Sequence, residues 1–392
     1  MRELLALVQQ RLTPGTRTQK AALAGGVAAF VLIVIGGALL PETILGVLLS
    51  TLVEEPTAKS ALRLAVPITL AGLGGIFAEK SGVINIGLEG LLIISAFAAV
   101  WMTDVTGNLV AGFSLGVVAS TLLALLFAVV CIEFRADQII AGLAIWLIAL
   151  GLAPFMSQVI YGGPNTKSVD TVPTLTELFG FLPAAGTLPQ RLAAPTVGIG
   201  PIDTLLGVVA SVLTRPPLYL VDVLLDASLS VYLMFLMVAV SWLLLYRTRF
   251  GRWVRASGEN PKALDTAGVS VSRVRYQAVL LSGVLAGMGG AALALSIGQF
   301  TGNGPTMVNG KGFIAIVTYL FGNYNPVGAF LSSLLFAGLD AMQVGLQTAG
   351  TGIPSSLVRV IPFVMVIIVL ALVGRTRIPE AAGDHYDSGE DR

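Results

Sequence analysis

Long apolar runs are the feature that most limits what this chain can fold into. A helix needs about 20 mostly apolar residues to cross the hydrocarbon core of a membrane. Because no water reaches that core, the backbone of each run must satisfy its own hydrogen bonds, which predicts helices. The sequence therefore predicts an all-α integral membrane protein with about ten transmembrane helices. The runs lie at approximately 21–40, 62–78, 84–102, 108–132, 138–160, 229–246, 277–298, 312–322, 327–347 and 358–374.

Composition excludes several classes of function. Charged residues make up 11% of the 392 and hydrophobic residues 55%, whereas soluble domains carry about 25% charged residues. A soluble enzyme is therefore excluded, and a net charge of +1 gives no general attraction to nucleic acid. The chain has one histidine, His385, and one cysteine, Cys131. We therefore expect no catalytic residues and no metal site.

Two of the runs are unusual, and two segments look alike. The run at 62–78 contains Pro67 and the run at 312–322 is short, which is compatible with discontinuous helices that line a cavity. Residues 81–91 resemble residues 303–313, and each segment opens an apolar run. Similar halves are common among transporters, so we predict a faint internal repeat. Chance similarity is the alternative, because the chain contains 45 glycines.

Basic residues predict the orientation of the chain. They cluster before the first run, in the connection 247–276, and at Arg375 and Arg377 after the last run. The positive-inside rule places all three clusters in the cytoplasm. The expected organisation is a cytoplasmic segment 1–20, a transmembrane domain 21–374 and a cytoplasmic polar tail 375–392, of which residues 378–392 are expected to be disordered.

The segment 161–228 then lies outside the cell. It contains eight prolines and two apolar stretches, 205–213 and 218–225, that are too short to span a membrane. These stretches form either interfacial helices or part of an ordered external loop.

The cytoplasmic loop 247–276 contains a candidate docking helix. Asn260 can cap a helix that starts at Pro261, and Gly268 can end it. Ala263, Leu264 and Ala267 would form one face, whose small residues suit close contact with a partner. A solvated basic loop that only anchors the topology is the alternative. The residues assigned to the contact are Arg255, Gly258, Glu259 (placed in the first turn), Asn260, Pro261, Ala263, Ala267 and Gly268.

The nearest approach to a phosphate-binding loop lies at 304–312. It contains Gly310 and Lys311, but Pro305 and Gly312 stand where a glycine and a magnesium-binding hydroxyl are required. We therefore expect no nucleotide site, so that any ATPase must be a separate chain.

Several segments resemble one family of transporters. Residues 78–90 are very similar to the signature of ABC-importer permeases for branched-chain amino acids, ribose and nucleosides, and most resemble the nucleoside (simple-sugar-type) branch. Residues 247–251, 258–261, 282–287 and 310–315 follow the same pattern in order. The resemblance implies a type II-like ABC importer permease in the plasma membrane, with both termini cytoplasmic. Residues 187–226 form a longer region than this family leads us to expect.

The resemblance also implies partner proteins, one of which binds the ATP. It implies an ABC ATPase that carries ATP and magnesium, so that this chain needs no cofactor of its own. It further implies a second, different permease subunit, an extracytoplasmic substrate-binding lipoprotein and membrane lipid, but no nucleic acid. The alternative is a self-sufficient secondary transporter or channel for a small polar solute. An ion-coupled carrier would usually show more buried charge than Glu89 and Asp340.

Polar residues within the apolar runs are the candidates for a solute path. A charged side chain there costs about 3 kcal/mol on insertion scales, so it should face the bundle interior. Helix–helix hydrogen bonding is the alternative role. The candidates are Asn85, Glu89 and Asp340, together with Gln299, Asn303 and Asn309 at the outer mouth. Gly283 and Gly287, four residues apart, predict close helix packing.

Overall fold

The computed structural model describes residues 54–178, 220–348 and 377–386. Extended pairing within these residues is limited to two isolated bridges, Asn165 with Thr301 and Thr174 with Ser228. The helices are α1 (Glu55–Lys80), α2 (Leu88–Thr106), α3 (Leu109–Ala128), α4 (Gln138–Tyr161), α5 (Leu175–Leu178), α6 (Leu220–Leu225), α7 (Leu229–Arg247), α8 (Arg249–Glu259), α9 (Pro261–Thr266), α10 (Val271–Ile297), α11 (Lys311–Phe321) and α12 (Pro326–Thr348). A π-helical turn, Val129–Glu133, extends α3.

Seven helices of the described part are long and apolar enough to cross a membrane. They confirm an all-α membrane protein. The runs at 21–40 and 358–374, the segment 1–20 and the stretch 205–213 lie outside the described residues. The count of ten helices therefore stays a prediction.

The two runs expected to be discontinuous behave differently. The expectation for 62–78 is wrong, because α1 continues through Pro67 for 26 residues. A proline is tolerated inside a membrane helix when neighbouring helices pack around it, and Pro67 is buried against Gly289 of α10. The expectation for 312–322 is confirmed. At 11 residues, α11 spans about half of the hydrocarbon core.

Internal contacts divide the chain into two units. The smaller comprises residues 1–58 and 339–376, of which the structure describes 54–58 and the end of α12. The larger comprises residues 59–338 and 377–392 and contains the other helices. In the larger unit α10 lies at the centre and packs against α2 and α3.

Small residues allow these helices to approach closely. A Cβ atom on Gly283 would lie 2.5 Å from that of Ala124, and one on Gly287 would lie 2.8 Å from that of Ser120. The Ser120 hydroxyl also donates to the Gly283 carbonyl at 2.8 Å. The predicted packing role of the two glycines is thus confirmed.

The outer helices present apolar side chains away from this core. On α3 and α4 large apolar residues are exposed, among them Val118, Leu122, Ile140, Leu147 and Phe155. Exposed apolar surface of this extent is unfavourable in water and suits contact with lipid. The chain is therefore a multi-pass membrane protein.

The tail departs from its expected disorder. Residues 377–386, here called the strap, are ordered, with Pro379 and Ala381 buried. The Ala381 amide donates to the Gly258 carbonyl at 2.8 Å, and the Gly383 amide donates to the Gly82 carbonyl at 3.0 Å. The polar composition suggested disorder, but small residues and free backbone amides allow the strap to pack. Residues 387–392 lie outside the described part.

Candidate solute path and coupling surface

Two breaks in the helices meet inside the larger unit. The first comprises residues 81–87, between α1 and α2, and the second comprises residues 299–310, between α10 and α11. These are the segments whose sequences resemble each other. Gly312 of α11 lies beside Glu89 of α2, whereas Tyr319 reaches Glu79 near the end of α1. The helices α2 and α11 therefore begin next to each other and run in opposite directions, as in inverted repeats of transporters.

Glu89 joins the two breaks. Its side chain is 2% exposed; one carboxylate oxygen accepts from the Gly310 amide at 2.7 Å, and the other accepts from the Gly312 amide at 2.6 Å. Because Glu89 also stands in the first turn of α2, its charge lies at the positive ends of two helix dipoles. The buried ammonium of Lys311 adds a further attraction. The charge of Glu89 is thus compensated inside the membrane protein.

Asn85 fastens the first break to α10. It is 1% exposed; its amide nitrogen donates to the Ser282 hydroxyl at 3.2 Å, and its oxygen accepts from the Gly87 amide at 3.0 Å. Asn85 and Glu89 therefore face the bundle interior, as expected, and both make contacts between elements. Contact with a solute stays a prediction for both.

The other candidates are spread along the second break and beyond. Gln299 donates to the Thr166 carbonyl at 2.7 Å and so pairs with the segment 164–172. Asn303 and Asn309 are exposed, and Asn309 directly precedes the amide that binds Glu89. Asp340 is half-buried on α12, in the smaller unit. Of these four candidates, Asn309 is therefore the one next in sequence to a group that binds Glu89, the Gly310 amide.

Sequence reasoning missed a second buried carboxylate. Glu79 of α1 is 6% exposed and accepts from the hydroxyls of Tyr319 at 2.5 Å and Tyr324 at 2.7 Å. The Lys80 ammonium lies over the Tyr324 ring, 5.4 Å from its centroid. A contact across 240 residues has no local sequence signal. Glu89 and Glu79 therefore hold α11 at its beginning and at its end.

The close approach at Gly312 gives a first prediction. A Cβ atom there would lie 2.4 Å from the Glu89 nitrogen, a backbone atom that cannot turn aside. We expect Gly312→Ala to destabilise the protein by about 1–3 kcal/mol through overpacking, measured as a lower unfolding midpoint in detergent. Gly151→Ala is the control, because nothing lies within 4 Å of that position. Equal midpoints for both variants would contradict the close contact.

The predicted docking helix is present as α9. The Asn260 oxygen accepts from the Ala263 amide at 3.0 Å, and Pro261 occupies the first turn. Gly268 follows the helix with φ of +79°. Leu264 is buried, whereas Ala263 and Ala267 are exposed, so the expectation that all three residues share one face is wrong. The small face therefore points outward from the described structure.

One assignment near this helix is wrong. Glu259 is the last residue of α8 and not part of the first turn of α9, because the chain bends at Asn260, whose φ is −151°. Glu259 is exposed and cannot complement the dipole of α9 as supposed. Gly258 also belongs to α8, where a Cβ atom would lie 2.4 Å from the Lys80 carbonyl oxygen. Arg255 stacks over Tyr246, 5.4 Å from the ring centroid.

A cavity of about 290 Å³ lies in the larger unit near the end of α10, away from α9. Lys59 and Asp226 form an ion pair at 3.0 Å in its wall. Arg63 and Glu177 also line it, together with several hydroxyl groups. Two cations balanced by two carboxylates suit a neutral polar molecule better than an ion. Sequence reasoning did not single out these residues, because Lys59, Glu177 and Asp226 lie outside the apolar runs and Arg63 lies at the start of one.

Known proteins resemble the chain over most of its length. Residues 57–370 match the family described as branched-chain amino acid transport system / permease component. The guanosine ABC transporter permease protein NupQ of Bacillus subtilis is 33% identical over 341 residues, covering 83% of this chain and 94% of that protein. The nucleoside ABC transporter permease protein NupC of Lactococcus lactis subsp. cremoris is 33% identical, covering 82% and 93%.

A sugar permease is also similar. The putative glucose ABC transporter permease protein of Haloferax volcanii is 31% identical, covering 74% of this chain and 77% of that protein. No solved structure matches the chain. These similarities confirm the resemblance seen in the sequence and decide against a self-sufficient carrier. The chain belongs to the branched-chain amino acid transport system permease family and is a permease subunit of an ABC importer in the plasma membrane.

Proposed function

We propose that the chain forms part of the path by which an ABC importer carries nucleosides or a related sugar-bearing solute. Similarity to two nucleoside permeases over more than four-fifths of the chain carries this proposal. The similar glucose permease fits the same solute chemistry, because a nucleoside and a sugar both present a ring with hydroxyl groups. The two breaks that Glu89 joins form the centre of the proposed path, since transporters place their binding sites where helices are interrupted.

The ATPase in this proposal is a separate chain that binds ATP and magnesium, and this chain carries no cofactor. Its docking site is the exposed small face of α9, Ala263 with Ala267. A second, different permease subunit completes the path, and a lipoprotein delivers the solute from outside. Arg255 and Gly258 support the docking site from α8 through their contacts with Tyr246 and Lys80.

Both termini lie in the cytoplasm in this proposal, together with α8 and α9. The support is the basic cluster in 247–276. We expect Lys262→Cys, in a Cys131→Ser background, to resist an impermeant thiol reagent on intact cells and to react after permeabilisation. Ser168→Cys, on the exposed segment beyond α4, should react on intact cells. Labelling of position 262 from outside would reverse the proposed orientation.

Competition for uptake tests the proposed solute class. Cells that carry the complete importer should take up labelled guanosine, and an excess of another unlabelled nucleoside should reduce this uptake more than an excess of leucine. Competition by ribose or glucose would narrow recognition to the sugar ring. Competition by leucine without competition by nucleosides would contradict the proposal.

A further inference from the structure

The strap follows the part of the chain that matches the family model. The family match ends at residue 370, whereas the strap comprises residues 377–386. It contacts several elements at the basic end of the larger unit. The proposed function assigns these elements to ATPase docking and to the solute path. These elements are the turn at Ser81 and Gly82, which opens the first break, the helices α8 and α9, and the start of α10.

The strap and α8 hold the same turn from two sides. Gly82 accepts from the Gly383 amide of the strap at 3.0 Å, and Ser81 accepts from the Ser257 hydroxyl of α8 at 2.8 Å. The strap also reaches α8 directly, since the Ala381 amide donates to the Gly258 carbonyl at 2.8 Å. Turn, helix and strap therefore form a closed set of hydrogen bonds. Movement of α8 relative to the turn requires the strap to move or to detach.

Two further contacts extend this set to α9 and α10. The Tyr386 hydroxyl donates to the Asp265 carboxylate of α9 at 3.0 Å. Arg275 of α10, which is 4% exposed, donates to the Asp384 carbonyl at 2.7 Å. The same guanidinium lies close to Gly82, where a Cβ atom would approach it to 2.8 Å and where φ is +97°. The start of α10 is thus bonded to the strap through Arg275, and the guanidinium lies next to the turn.

The turn leads directly into the proposed path. Three residues after Gly82, Asn85 is bonded to Ser282 of α10, and Glu89 then holds the beginning of α11. Networks of packed side chains and hydrogen bonds can carry energetic coupling between sites, and these contacts form a continuous route from α9 to Glu89.

We propose that the strap is part of the coupling device, and that Tyr386, Arg275 and the backbone of 381–384 are positioning groups that pass motion from α9 to the 81–87 break and to Glu89. This inference rests on the proposed function, because it requires an ATPase bound at α9. It predicts a specific defect. Without the strap, ATP hydrolysis continues, but fewer solute molecules are imported per ATP.

Truncation provides the test in reconstituted complete importer. A chain that ends at Ile378 lacks the contacts of 379–386, and a chain that ends at Tyr386 is the matched control. We expect the first to import about tenfold less solute per ATP, because it loses several hydrogen bonds that are each equivalent to about fivefold in an equilibrium. The control should keep the ratio of the intact chain. An unchanged ratio in the shorter chain would overturn the proposal.

Point variants keep the test decisive if the shorter chain does not assemble. Tyr386→Phe removes the hydroxyl that donates to Asp265, and Arg275→Lys keeps the charge but not the planar donor group. We expect both to lower the import ratio by about fivefold while ATPase binding is unchanged. If these variants lose ATP hydrolysis and import to the same extent, the strap has only a structural role and the proposal is wrong. Failure of the intact chain to bind any ATPase would instead reject the proposed function.

Discussion

Glu89→Ala should abolish import. The substitution leaves the Gly310 and Gly312 amides without the acceptor that they have in the structure, at a cost of about 1–3 kcal/mol for each buried donor. It also removes a carboxylate that attracts the buried ammonium of Lys311. We therefore expect the beginning of α11 to separate from α2, so that the path loses its shape. Uptake of labelled solute by the complete importer is the measurement.

The milder variant Glu89→Gln separates charge from shape. Glutamine keeps one acceptor but turns an amide donor toward a backbone amide that is itself a donor. Loss of one charge-assisted bond, about 1.5–3 kcal/mol, should lower uptake by roughly tenfold or more while the protein still inserts in the membrane. Asp170→Asn is the control, because Asp170 is an exposed carboxylate. Normal uptake by both Glu89 variants would reduce this residue to a dispensable packing contact.

Ala263→Glu should prevent both ATPase binding and import. Ala263 is exposed on α9, and a partner that docks there would bury the new carboxylate without a counter-charge. Such burial costs several kcal/mol, which is a large part of the roughly 8 kcal/mol of a micromolar contact. The variant chain should insert normally but fail to copurify with the ATPase.

The size of the side chain provides the matched control for this prediction. Ala263→Ser adds one oxygen to the same position and should retain copurification and import. If Ala263→Glu copurifies and transports like the intact chain, then α9 is not the docking site. The basic loop would then serve only to fix the orientation of the chain.

The sequence predicted the parts of the fold that depend on local patterns. Apolar runs predicted the long helices, and the cap at Asn260 with Pro261 predicted α9. The sequence placed Glu259 in α9, whereas it is the last residue of α8. The end of α8 packs against the end of α1 through Ser257 and Gly258, and the sequence does not display these contacts. Pro67 suggested an interrupted helix, but α1 continues through it. Packing against α10 decides whether a proline interrupts a buried helix, and the sequence does not display that packing.

The candidate site was predicted in part. Polarity within an apolar run correctly placed Asn85 and Glu89 in the interior, but it gave no partners for them. The partners of Glu89 are backbone amides 221 and 223 residues away, and those of Glu79 are tyrosines on α11 and the turn after it. The strap was missed because a polar composition does not reveal which carbonyl groups its amides can reach. These contacts depend on tertiary structure and have no periodicity of their own.

The energy source of transport tests the central claim most directly. The intact chain would be reconstituted into lipid vesicles with its proposed ATPase, second permease subunit and lipoprotein, and uptake of labelled guanosine would be followed. The account predicts uptake that requires ATP, that ceases when the ATPase is omitted, and that persists when proton and sodium gradients are abolished. Uptake by this chain alone, driven by an ion gradient and indifferent to ATP, would contradict it.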